Sequence, residues 1–159
     1  MIEFMLLAAP RSGTAWAANW LTTDASLCLH EPLYQQTHAQ LDARTGTRQL
    51  GIACTASALL NVNRHPARKV ILHRDAEEVR TSMEALGIPG DYDFSALDNV
   101  EGKHYHWSAL FEDPAPIYEY LLEYPFDPER HQLLKGMNIQ NRQLIEVLQR
   151  GECGAPADA

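Results

Sequence analysis

Residues 3 to 16 read EFMLLAAPRSGTAW. The apolar run Glu3 to Ala8 is too short and too uniformly hydrophobic for an amphipathic helix and predicts a buried strand. A loop follows, Ala9-Pro-Arg-Ser-Gly-Thr14, and then a helix from 14 to about 22 with Trp16 and Trp20 one turn apart on one face. In such a strand-loop-helix unit the loop leaves the carboxyl edge of a sheet, and the unpaired N–H groups at the helix start favour an anion. Pro10 and Ala15 flank the turn, Gly13 allows close backbone approach, Ser12 and Thr14 add hydroxyl donors, and Arg11 supplies a fixed charge. The loop is P-loop-like, but the Gly-Lys-Ser/Thr end of a nucleotide triphosphatase loop is absent. Alone, the octapeptide at 9–16 is equally a tight turn in which Ser12 is a cap and Arg11 a surface charge.

Outward from it, strands alternate with helices, which predicts an α/β fold of three layers around a central parallel sheet. Further strands are expected at 26–30, 50–54, 69–73 and 105–110. Helices are expected at 33–43, 55–61, 76–86, 113–123, 128–136 and 139–149, with a long Gly- and Pro-rich loop at 87–104. Asp75-x-x-Glu78 reads as a capping box for the helix at 76. Residues 1–150 make one domain, and the tail 151–159 is expected to be disordered.

Charge narrows the function. Thirteen basic against twenty-one acidic residues in 159 give a net charge of −8, which disfavours nucleic acid and anionic membranes as partners. An anion site must therefore be local. Three cysteines, Cys28, Cys54 and Cys153, lack metal-type spacing, so no metal is expected and a reducing, cytoplasmic setting fits best. The apolar start is too short for a signal sequence or a membrane span.

A second unit repeats the logic of the first. Lys69-Val-Ile-Leu-His-Arg-Asp-Ala-Glu-Glu-Val-Arg-Thr-Ser-Met83 is a buried strand, an arginine at its carboxyl end, and a helix carrying a serine eight residues after that arginine. With Pro10-Arg-Ser-Gly-Thr-Ala-Trp16, this pair of motifs resembles the sulfotransferases that use 3′-phosphoadenosine 5′-phosphosulfate (PAPS) and release 3′-phosphoadenosine 5′-phosphate (PAP).

The resemblance implies a sulfuryl transfer from PAPS to a hydroxyl or amine acceptor. It implies that Pro10, Arg11, Ser12, Gly13, Thr14 and Ala15 hold the 5′-phosphosulfate, and that Arg74 and Ser82 hold the 3′-phosphate. Trp16 falls where the cytosolic enzymes carry an aromatic that stacks on adenine, although a core role beside Trp20 fits equally. Lys135, before Gly136, is similar to a basic residue of the family's closing loop, with a helix cap at Gly136 as the other reading; Arg142 is a weaker candidate. The family's Lys-Thr pair and following histidine base correspond here to Cys54-Thr55-Ala56, so the base must come from elsewhere. Glu31, at the end of the second strand before Pro32, is the replacement the resemblance implies, with His30 as its rival. Because side chains alternate along a strand, at most one of the two is expected to face the transferring group. The acceptor, a small molecule or a peptide, is not specified by the sequence, nor is a homo-oligomer excluded. Two other readings stay open: a PAPS- or PAP-binding regulatory protein without catalysis, and a P-loop nucleotide kinase in which Asp75 would imitate a magnesium-holding aspartate.

Overall fold

The computed structural model describes residues 1–55, 61–89 and 94–137. The expected helix at 139–149, the tail from Gly151, Arg142, residues 90–93 of the expected loop and most of the expected helix at 55–61 lie outside the described residues.

The EFMLLA run lies within strand β1 (Ile2–Ala8), and every residue of β1 except Glu3 is buried. It forms the centre of a five-stranded sheet with β2 (Ser26–His30), β3 (Gln49–Cys54), β4 (Arg68–His73) and β5 (Lys103–His106), in the order β2-β3-β1-β4-β5. All four strand pairings are parallel. Uniform apolarity is what a parallel strand buried on both faces requires. Phe4, Leu6 and Ala8 enter one layer, with Trp16, Trp20, Leu110, Ile117 and Leu121. Met5 and Leu7 enter the other, with Leu41, Val62, Val79 and Met83. Each large aliphatic side chain so buried contributes about 1.5–3 kcal/mol.

Helices cover both faces. Helices α1 (Thr14–Trp20), α5 (Ala115–Leu122) and α6 (Pro128–Lys135) build the first layer, and α2 (His38–Asp42) and α3 (Ala76–Glu84) the second. The chain is thus a three-layer α/β fold with an all-parallel sheet. At Gly51, in β3, an added Cβ would stand 2.0 Å from the Phe4 ring, so glycine there lets the phenylalanine lie flat against the neighbouring strand.

Several elements differ from expectation, each for a local reason. The expected helix at 33–43 is a 3-10 turn, Pro32–Tyr34, followed by the five-residue α2, because Thr37 and Gln40 form a capping box that starts a new helix. The expected helix at 113–123 is α5, which starts after Pro114, and a short extra helix, α4 (Ala109–Glu112), stands where the end of the strand expected at 105–110 would be. β5 runs at 103–106, earlier than the expected 105–110, and the 87–104 loop contains a 3-10 segment, Phe94–Asn99. Helix α1 ends at Trp20, two residues early. Thr22 there donates its hydroxyl to the Ala18 carbonyl.

Candidate functional site

Parallel pairing brings the carboxyl ends of all five strands to one edge of the sheet. The loop after β1 lies in the middle of this edge. On one side stand His30, Glu31 and Thr55, which follow or end β2 and β3; on the other stand Arg74 and Trp107, which follow β4 and β5. In open α/β sheets this is where ligands bind.

The loop itself is sharply bent. Arg11 has φ 63° and Gly13 φ 85°, so two residues of the turn are left-handed. Glycine is needed at 13 because an added Cβ would combine that φ with a 3.1 Å approach to Leu110 Cδ1. Ser12 is fully buried, and its hydroxyl has no partner among the described residues. A buried hydroxyl without a partner costs about 1–3 kcal/mol, so the loop carries a polar group whose need an anion or acceptor oxygen would meet. Thr14 is also buried, and its Oγ1 lies 3.2 Å from His30 Nε2.

The second motif closes onto the first. Arg11 Nε donates to Ser82 Oγ at 3.1 Å, across 71 residues of chain. Arg74 Nη1 donates to the Arg11 carbonyl. The Arg74 guanidinium is further bound by Glu78, Nε to Oε2 at 3.0 Å, and lies over the Trp107 ring at 4.4 Å from its centroid. Arg11, Arg74 and Ser82 therefore form one connected group. Beside it an open depression of about 510 Å³ is lined by Arg74, Asp75, Glu78, Thr81 and Ser82, among others. Trp107 carries no site role in the sequence motifs; its place next to Arg74 follows from strand pairing, which no local spacing reveals.

Asp75 is half of the expected capping box. Its Oδ1 accepts from the Glu77 and Glu78 N–H groups at 2.9 and 3.1 Å. The reciprocal bond is replaced by the Glu78–Arg74 pair, since the arginine next to the cap residue is a stronger partner for a carboxylate than a backbone N–H.

Across the loop, Glu31 breaks the expected alternation. With φ 50° it is left-handed, so the rule that neighbours on a strand face opposite ways stops at His30. His30 reaches Thr14, whereas the Glu31 carboxylate turns to the end of β3 and accepts the Thr55 N–H at 2.8 Å. Its other oxygen is buried without a partner among the described residues. Burial pushes the Glu31 carboxyl above the usual range, and the bonds from Thr55 oppose the shift in part. Both rivals therefore belong to this edge, on different neighbours.

Trp16 takes the core role of the two expected for it. It is 6% exposed, its ring packs against Trp20, Phe111 and His131, and its Nε1 donates to the Leu134 carbonyl. Tied to α6 in this way, the ring has almost no face left for a base. Lys135 donates to the Phe111 carbonyl at 3.2 Å, on the α4 side of the molecule. Gly136 does end α6, but in a right-handed conformation, so no glycine is required there. Among the described residues, no group of three or more His, Cys, Asp or Glu side chains could hold a metal ion, and no helix is long and apolar enough to cross a membrane.

A parallel sheet with this loop at its centre is a sulfotransferase-like fold. The chain is similar to the crystal structure of mouse sulfotransferase SULT7A1 complexed with PAP, with a TM-score of 0.51 and 12% sequence identity, over 99% of this chain and 68% of that one. No family model matches the chain, and no curated protein matches it in sequence.

Proposed function

We propose that the chain is a PAPS-dependent sulfotransferase acting on a hydroxyl or amine acceptor, a small molecule or a peptide. The observation that carries this reading is the joining of the two motifs: Arg11 reaches Ser82, and Arg74 reaches the Arg11 carbonyl. Such a group suits a ligand with anionic centres at two points, as the phosphosulfate and 3′-phosphate of PAPS are. The solved sulfotransferase of similar fold was crystallised with PAP. A kinase reading is weakened because the loop lacks the Gly-Lys-Ser/Thr end and because Asp75 uses its Oδ1 as a helix cap.

In the proposed reaction the acceptor oxygen or nitrogen forms a bond to sulfur as the bond from sulfur to the 5′-phosphate oxygen breaks. Arg11, the loop N–H groups and the Ser12 hydroxyl bind the charge that grows on the leaving oxygen, where preorganised donors act most strongly. Glu31 takes the acceptor's proton. A raised carboxyl pKa suits that task, because an ordinary carboxylate is a weak base near neutral pH. His30 holds the Thr14 hydroxyl in this scheme. Incubation with PAPS and a panel of hydroxyl and amine acceptors, following PAP release, tests the reading. It predicts acceptor-dependent PAP formation that is lost in Arg11→Ala. PAP binding without turnover on any acceptor would favour the regulatory reading, and phosphoryl transfer from ATP with magnesium would favour the kinase.

A further inference from the structure

Resting on the reading of Arg74 as the ligand of a 3′-phosphate, we infer that Trp107 is the positioning residue that holds this arginine in its binding pose. The placement comes from the sheet. β4 and β5 pair in register with His73 opposite His106, and the Trp107 N–H continues the ladder by donating to the His73 carbonyl at 2.8 Å. The residue after each strand thereby stands beside the other, Arg74 next to Trp107. The guanidinium carbon lies 4.4 Å from the ring centroid, within the range of a cation–π contact. The ring is itself fixed from behind: Phe111 meets it edge-on, with centroids 5.9 Å apart at 77°, and Phe111 in turn packs on Trp16 in the core.

The chemistry of this contact differs from that of the other two on Arg74. Glu78 neutralises the guanidinium and uses its Nε, and the Arg11 carbonyl uses Nη1. The indole face restrains the side chain without consuming an N–H donor or its charge. A restrained arginine loses less rotamer freedom when an anion arrives, so its selectivity for that anion is greater. Trp107 thus acts through Arg74 and does not itself need to touch the ligand.

The test is the ratio of the dissociation constants for adenosine 5′-phosphate and PAP, measured calorimetrically for each variant with folding checked by circular dichroism. Trp107→Leu should reduce the ratio roughly three- to tenfold relative to the unmodified protein. Trp107→Phe, which keeps a ring face, should retain most of it. In an Arg74→Ala background, Trp107→Leu should cause no additional fall in the ratio. Should the leucine variant fail to fold, Trp107→Met provides the same comparison, being large and flexible but without a ring. A folded ringless variant with an unchanged ratio, or one that lowers the ratio as much without Arg74 as with it, overturns the inference and leaves the functional reading standing. A ratio near one in the unmodified protein is a different failure, visible before any Trp107 variant is made, and it removes the functional reading and the inference together.

Discussion

Glu31 combines three properties that rarely meet by accident: a left-handed backbone, a buried carboxylate oxygen without a partner among the described residues, and a carboxyl pKa raised by burial. Each of these opposes folding at neutral pH, a cost that accords with the base role proposed for Glu31. Because the folded-state pKa lies above the unfolded value, the carboxyl favours folding at pH values below the unfolded pKa, and that contribution is lost as pH rises through the folded pKa. Glu31→Gln should therefore raise the melting temperature at neutral pH, with the gain over the unmodified protein shrinking as the buffer is acidified towards about pH 4. The same variant should keep PAP binding and lose about 10²–10⁴-fold in turnover, the usual range for a general base. A variant that loses turnover without a pH-dependent gain in stability would separate the catalytic role from the burial argument. Arg11 supplies a contrasting case. Arg11→Ala should lower turnover more than PAP affinity, since in the proposed reaction its charge acts on the leaving oxygen, and Arg11→Lys should recover part of the loss. Steady-state kinetics beside calorimetry separate the two effects. The sequence placed both residues at the correct edge, but it could not show that Glu31 turns away from His30, because a left-handed glutamate has no residue signal comparable to a glycine.

At the scale of single elements, α3 shows how structure and site share residues. Asp75 caps the helix that carries Ser82, and Glu78 joins that helix to Arg74. Asp75→Ala should cost about 0.5–2 kcal/mol, a typical loss for an N-cap, or a fall of about 2–4 °C in melting temperature per kcal/mol in a chain of this size. Thermal unfolding followed by circular dichroism measures it. An unchanged melting temperature would mean that neighbouring contacts alone hold the helix start. Elements with a strong local signal were legible: the apolar run of β1, the Val70-Ile-Leu72 centre of β4, and the cap and stop of α3. Those with weak signals were misread, as at 33–43, where Pro32 and the Thr37–Gln40 box compete within one polar stretch. Trp16 was ambiguous for another reason. An aromatic at the start of a helix reads the same whether its partner is a ligand or, as the structure shows, Phe111 and Trp20.

For the molecule as a whole, strand order is what creates the site. Alternation of strands and helices predicts a parallel sheet, but only the observed order β2-β3-β1-β4-β5 puts the loop after β1 between the Glu31 side and the Arg74 side. Local spacing carries no trace of that order. It also gathers Arg11 and Arg74 at one edge of an otherwise acidic molecule of net charge −8, where the proposed anionic ligand would bind. The most direct test of this convergence is a calorimetric comparison of PAP with adenosine 5′-phosphate, on the unmodified protein and on Arg74→Ala. A charge-assisted contact is worth about 1.5–3 kcal/mol, so PAP should bind about tenfold or more tightly than the dephosphorylated nucleotide, and Arg74→Ala should abolish most of that preference while leaving adenosine 5′-phosphate affinity nearly unchanged. Equal affinity for the two nucleotides, or an equal loss of both in Arg74→Ala, would contradict the account.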